Sequence, residues 1–374
     1  MNGSQRPRIA LSGYYGCGNA GDEAVLAGIQ SSFASLDAPV DFTILSQNPA
    51  STYHSHGLHS VNRMSLRCLT ETLRGSDLLI SGGGSLLQDT TSMRSLLYYL
   101  LVIRVAGMLK VPVMFYAQGL GPLHRKLSRK LVGFAANRAA AITVRDQASA
   151  DLMTAIGVSQ RVEITADPAF ALSPPPEIIT QTSWRNEGLS ANTPWLGVAL
   201  RAWGDTASDV PRYGELVSAL HKQTGLLPLL IPMQHPHDLQ FAELVWNYLK
   251  GEIDVSILRY PHYPTALLGI ISSLPMVIAM RLHTLILAAS VGVPAIALSY
   301  DPKVSCLMHR LGMEKETFDW NSSEPSAIAA IAGNILQTRA ERFDLLCSKS
   351  REMRRLALRN AEVALGITGS KGRV

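Results

Sequence analysis

At 374 residues the chain exceeds one ordinary compact domain and fits two domains of about 150 to 200 residues each. With 47% hydrophobic and 17% charged residues it is globular rather than disordered, and its four cysteines (Cys17, Cys68, Cys306 and Cys347) lack the spacing of a zinc site or a disulfide framework. The net charge of +5 favours an anionic partner, yet without a zinc finger, an RNP-like aromatic motif or a lysine run, nucleic acid is not expected.

The N-terminal stretch MNGSQRPRIALSGYYG lacks the apolar core of a signal peptide, so a cytoplasmic protein is expected. PRIALSG reads as a strand, GDEAVLAGIQSSFASL as a helix and VDFTILS as a second strand. HSHGLH, with His54, His56 and His59, reads as a surface loop. SDLLISGGG, VPVMFYAQG and AAITVRD supply three further strands with helices between them. LLYYLLVI (Leu96 to Ile103), bracketed by Arg94 and Arg104, is far short of the roughly 20 residues of a membrane span and reads as a buried helix. This alternation predicts a parallel sheet with helices on both faces.

Pro174 to Pro176, inside ADPAFALSPPPEIITQTSW, forbid regular structure and mark a linker. The alternation then restarts through PWLGVALR, YGELVSALHKQTG, LPLLIPMQ, DLQFAELVWNYLK, VSILRY, PTALLGIISSLPMVIAM and RLHTLILAASVGVPAIALSYDPK. RAERFDLLCSKSREMRRLALRN reads as an amphipathic basic helix with a solvated face; peripheral contact with an anionic membrane is the alternative. The expected division is 1–172, a proline-rich linker over 173–193, 194–340, and a basic C-terminal helix over 341–374. The expected fold class is α/β, two Rossmann-like doubly wound domains facing a central cleft, with ligands at the carboxyl ends of strands.

The polar and glycine-rich residues fall at such ends. GYYGCGNAGDE follows the first strand, and its glycines, Gly16 among them, let backbone approach a ligand; the spacing is not that of a dinucleotide fingerprint. Asn19 and Asp22 there either accept from sugar hydroxyls or cap the helix. SGGGSLLQD adds Gly83 and Gly84, and YAQGLGP adds Gln118, so three rims would form the floor of a bulky site, for which a carbohydrate is a plausible occupant. Arg145 ends a strand beside Asp146. Arg201 and Gln234 end strands in the second half. His235, His237 and Asp238 lie on a proline-containing loop without a metal-ligand framework, and no metal is expected.

In AMRLHTLILAASVGVPAIALSYDPK, Arg281 and His283 leave one strand and Lys303 follows the next, with a helix N-terminus aimed at the same place. Fixed cations and a helix dipole suit a ligand with more than one negative charge, and a histidine among bound anions can donate a proton.

GYYGCGNAGDE, SGGGSLLQD, YAQGLGP, VRD, the Gln and Asp of MQHPHD, and the RLH segment with its downstream lysine together resemble the polysaccharide pyruvyl transferase family, closest to the CsaB-type proteins. The resemblance implies a glycosyltransferase-B-like pair of domains, the first on the acceptor side and the second on the donor side. It implies transfer of an enolpyruvyl unit from phosphoenolpyruvate, a co-substrate rather than a cofactor, to a sugar such as N-acetylmannosamine in a lipid-linked cell-wall polysaccharide precursor. It assigns His283 as general acid and Arg145, Arg281 and Lys303 to the donor. Gly16, Asn19, Asp22, Gly83, Gly84, Gln118 and Gln234 are the acceptor candidates. The competing readings are a nucleotide-sugar glycosyltransferase on the same scaffold and a non-catalytic sugar-phosphate-binding protein.

Overall fold

Seven parallel strands organise the first half of the chain in the computed structural model, which describes residues 6–90 and 92–369. They are β1 (Arg8–Ser12), β2 (Asp41–Ser46), β3 (His59–Asn62), β4 (Leu78–Gly82), β5 (Val113–Gln118), β6 (Ala141–Val144) and β7 (Val162–Ile164), in the order β3-β2-β1-β4-β5-β6-β7. Six more, β8 (Trp195–Ala199), β9 (Leu227–Leu230), β10 (Ser256–Ile257), β11 (Val277–Ala279), β12 (Ala295–Ser299) and β13 (Thr317–Asp319), form a second parallel sheet in the order β10-β9-β8-β11-β12-β13. Both orders are doubly wound, reversing between β1 and β4 and between β8 and β11. Strands β4, β5 and β8 are buried along their whole length, as expected of a sheet with helices on both faces.

The sequence pattern does not mark strands β3, β7 and β13. Each is an edge strand of three or four residues with half-exposed positions, so pairing defines it rather than an apolar run. HSHGLH is correspondingly not a loop: His54 and His56 close the helix Pro49–His56, and His59 opens β3.

The chain divides into two compact units. One contains the chain up to Cys17, Val25–Ala171 and the part from Met353 onward; the other contains Gly18–Ala24 and Leu172–Glu352. The expected linker is regular over much of its length. Past the prolines, Glu177–Asn186 is helical, with Trp184 buried and its indole N–H donating to Ser273 Oγ at 3.2 Å. The C-terminal helix, Arg339–Gly369, begins close to its expected start. Its later part is docked, because buried Asn360 accepts from Thr165 Oγ1 at 2.8 Å and donates to Ala166 O at 3.2 Å. Residues 1–5 of the expected first domain and 370–374 of the expected terminal helix lie outside the described residues. Among those described, no helix is long and apolar enough to cross a membrane.

Candidate functional site

In the second unit several of the candidate residues stand just past strand ends. Ala199 of β8 pairs with Ala279 of β11, and the Met280 N–H donates to Ala199 O at 3.0 Å. Arg201 and Arg281 therefore stand at equivalent positions, two residues past adjacent strands, at the point where strand order reverses. That is where open α/β sheets bind ligands.

Arg281 is the N-terminal cap residue of the helix Leu282–Ser290. Its Nε donates to Asp238 Oδ2 at 2.9 Å, and its Nη2 donates to Asp238 Oδ1 and, at 3.5 Å, to Gln234 Oε1. Asp238 is itself buried in the first turn of the helix His237–Leu249 and accepts the N–H groups of Met233 at 3.2 Å and Gln234 at 3.1 Å. A bidentate carboxylate fixes the plane of a guanidinium as well as its charge, so Arg281 is held rigidly with Nη1 left over.

His283 belongs to the first turn of the helix Leu282–Ser290, not to a loop before it. Gly21 backs its ring closely: a methyl group there would lie 2.3 Å from Nδ1 and 2.7 Å from Cγ. The Gly18–Ala20 strip is pinned by His235 N–H donating to Gly18 O at 2.9 Å and Ala20 N–H donating to Met233 O at 2.7 Å. Asn19 pairs with Gln234 across this bridge, and its Oδ1 accepts the Gly21 N–H at 2.9 Å. Asn19 is thus a helix cap, one of the two roles its sequence position allowed. Asn19, Gly21, Gln234, Asp238, Arg281 and His283 form one connected network.

Lys303 follows β12 at the start of the helix Pro302–Leu311. Asp301 Oδ1 accepts its N–H at 2.9 Å, Pro302 presets the first turn and Gly312 closes the helix in the left-handed conformation. Lys303 is half-buried.

Arg201 stands two residues past β8, and no sequence motif marks it as a site residue. Its Nη1 donates to Tyr300 Oη at 2.9 Å, and its guanidinium lies 5.4 Å from the Trp203 ring centroid and 5.0 Å from that of Tyr300. Among the described residues no carboxylate pairs with it, and its buried Nε has no hydrogen-bond partner. It differs in this from Arg281. The signal in the sequence was the pair of aromatics, Trp203 and Tyr300, just past two strand ends, whose rings lie 4.4 Å apart.

The remaining candidates lie in the first unit, except Asp22, which is half-buried in the first turn of the helix Ala20–Ser35. Arg145 is buried at the end of β6, where Nη1 pairs with Asp167 at 2.6 Å and Nη2 donates to Ser85 Oγ at 3.0 Å, while neighbouring Asp146 stands 3.8 Å from Nε. Gln118 Nε2 donates to Gly84 O at 2.7 Å and so ties the end of β5 to the loop after β4. Gly83 has φ +88° and no room for a side chain, since a methyl group would meet Val25 at 2.2 Å. Gly16 is similarly closed, by Ser46 at 2.2 Å. Each of these glycines therefore has a packing requirement of its own. Among the described residues no cluster of three or more His, Cys, Asp or Glu is placed to hold a metal ion, and the Asp238 carboxylate is occupied by Arg281.

Solved structures with a similar fold include three from sugar-nucleotide enzymes and related proteins. They are UDP-GlcNAc 2-epimerase from Neisseria meningitidis bound to UDP-GlcNAc (11% identity, 97% of this chain and 100% of that one, TM-score 0.60), HepE of Anabaena in complex with UDP and glucose (12%, 99% and 100%, 0.58), and the ADP-heptose lipopolysaccharide heptosyltransferase II of E. coli (13%, 90% and 99%, 0.52). At these identities the likeness is one of fold, a glycosyltransferase-B-like combination of two Rossmann-like units. A sequence relative, the amylovoran biosynthesis protein AmsJ of Erwinia amylovora, is 23% identical over 398 residues, covering 89% of this chain and 93% of its own. Residues 19–302, which run from Asn19 through Arg281 and His283 to the start of the Lys303 helix, match the polysaccharide pyruvyl transferase family model. With three quarters of its length accounted for in this way, the chain belongs to the polysaccharide pyruvyl transferase family and is by that membership a transferase.

Proposed function

We propose that this transferase moves the enolpyruvyl group of phosphoenolpyruvate onto a sugar and closes it as a pyruvate ketal, in the manner of the CsaB-type members, with an N-acetylmannosamine unit of a lipid-linked precursor as acceptor. The observation that carries the reading is the grouping of Arg201, Arg281, His283 and Lys303 past the ends of β8, β11 and β12. A donor bearing both a carboxylate and a phosphate calls for several fixed cations, and planar guanidinium groups match both anions.

In this mechanism His283 protonates the methylene carbon of the donor, and a sugar hydroxyl adds to C2 as it loses its proton. A second hydroxyl of the same sugar then displaces phosphate from C2, its proton leaving with the phosphate, and the ketal ring closes. Lys303 and the two arginines stabilise the carboxylate and the departing phosphate throughout. Asn19 and Gln234 are acceptor candidates beside His283. Arg145 is assigned to the donor on the family resemblance alone.

The test is phosphate release from phosphoenolpyruvate with an N-acetylmannosaminide acceptor, run beside UDP-sugars. Release that requires both substrates is expected; consumption of a UDP-sugar without phosphoenolpyruvate turnover would replace this reading with glycosyl transfer. That second reading draws on Trp203 and Tyr300, which offer ring faces to a base, and on neighbours of the same fold solved with UDP.

A further inference from the structure

The helix expected to be buried, around LLYYLLVI, is not buried all round. Within Met93–Met108, Leu97, Leu101 and Met108 are 46%, 45% and 69% exposed. Their spacing of four and seven residues places them on one stripe, to which exposed Arg94 and Arg104 also belong. The neighbouring helix Lys126–Ala136 repeats the pattern, with Leu127 60% and Phe134 50% exposed, Lys130 between them, and Arg138 beyond its end with the guanidinium 3.5 Å over the Phe134 ring. The two helices pack side by side: Ser128 Oγ meets Met93 Sδ at 4.0 Å, and Tyr99, Val102, Val132 and Ala136 share one core.

The charge of this segment is one-sided. Between Asp89 and Arg145 the chain carries eight Lys or Arg and no Asp or Glu. All eight are exposed, and none is in an ion pair among the described residues. The other 26 Lys and Arg face 29 Asp and Glu, a net of −3, so the positive charge of the protein resides here.

We propose that the paired helices Met93–Met108 and Lys126–Ala136 are a docking face for an anionic lipid bilayer. Apolar side chains flanked by long cationic ones suit the boundary between acyl chains and acidic headgroups. A second copy of the same face would set its cations, Arg94, Arg104, Lys130 and Arg138 among them, against their own copies, which like-charge repulsion opposes. A polyanion without an apolar layer leaves Leu97, Leu101, Leu127 and Phe134 without partners. The proposal stands apart from the identity of the donor; a lipid-linked acceptor would give it a purpose.

The test is co-sedimentation of the full chain with phosphatidylcholine vesicles, with and without phosphatidylglycerol. Binding is expected only with the anionic lipid. It should weaken at least about tenfold in Lys126→Glu/Lys130→Glu and to a similar degree in Leu127→Ser/Phe134→Ser, with unchanged thermal unfolding because all four residues are exposed. Arg351→Glu/Arg355→Glu, on the C-terminal helix, should bind like the parent. Absence of binding to anionic vesicles overturns the proposal. So does loss of binding in the C-terminal variant alone, and so does full binding by the Leu127→Ser/Phe134→Ser protein, which would make the face a simple polyanion surface.

Discussion

The Asp238 carboxylate accepts hydrogen bonds from Nε and Nη2 of Arg281 and, at the same time, from the backbone N–H groups of Met233 and Gln234. One buried side chain thus fixes both the cation after β11 and the loop after β9. Replacing it by alanine strands a guanidinium whose side chain is only 15% exposed, along with two N–H donors. Asp238→Ala should therefore lose about 3 to 5 kcal/mol of stability in denaturant titrations. Asp238→Asn keeps the shape but turns an NH2 group toward other donors, and should retain more stability while raising the donor KM. Equal donor affinity in the parent and Asp238→Asn would mean that the orientation of Arg281 does not matter for binding.

Gly21 and His283 give a test that separates chemistry from folding. Alanine at position 21 sits in a helix, where it is intrinsically favoured over glycine by about 1 kcal/mol, but its methyl group would lie 2.3 Å from Nδ1 of His283. The imidazole must move. For a proton donor a displacement near 1 Å costs on the order of a hundredfold, so Gly21→Ala should lower kcat by that order and leave the unfolding midpoint within a few degrees. Normal turnover in a folded Gly21→Ala protein would remove His283 from the proton-transfer step.

Arg201 should behave unlike Arg281. With no carboxylate partner to strand, Arg201→Met loses little more than the hydrogen bond to Tyr300, and stability should fall by under about 1.5 kcal/mol. If its unspent donors grip an anion, the donor KM should rise roughly tenfold to a hundredfold, with Arg201→Lys restoring only part of the loss. Trp203 offers a direct readout, since an anion drawn to the adjacent guanidinium should change its emission, and Trp203→Phe should abolish that change. An unaltered KM in Arg201→Met would return Arg201 to a purely local role on its two rings.

The doubly wound sheets were legible because buried parallel strands are continuous apolar runs, and β4, β5 and β8 need no context to be recognised. The edge strands β3, β7 and β13 were not, because half-exposed pieces such as HSVN take their identity from the strand they pair with. The same contrast holds in the site. Arg281, His283 and Lys303 stood out as polar residues after apolar strands. The pairing of Arg281 with Asp238 spans 43 residues, and the contact of Gly21 with His283 spans far more, so neither has a local signature. Their places past strand ends single out Asn19 and Gln234 in the sequence, but only the fold reveals that they pair with each other.

Glu187 should set an acid limit on the second unit. Its buried carboxylate accepts the N–H groups of Arg259 at 2.9 Å and Tyr260 at 3.1 Å and the Nε2–H of His262 at 2.6 Å. These hold the loop that leads into the helix Pro264–Ser272 and on to β11. Burial alone would raise the pKa of this carboxyl, but the hydrogen bonds from His262, Arg259 and Tyr260 outweigh it and hold the group below the usual glutamate value. A carboxyl with a folded pKa below its unfolded one contributes stability that is complete above the unfolded pKa, near 4.3, and disappears as pH falls through the folded value. Glu187→Gln should cost about 1 to 3 kcal/mol at neutral pH by weakening these bonds. It should also flatten the acid limb of a stability profile measured from neutral pH to about pH 3. If the two profiles run parallel down to that pH, the carboxylate is not what anchors the loop, and the backbone between Arg259 and His262 must be held by its packing alone.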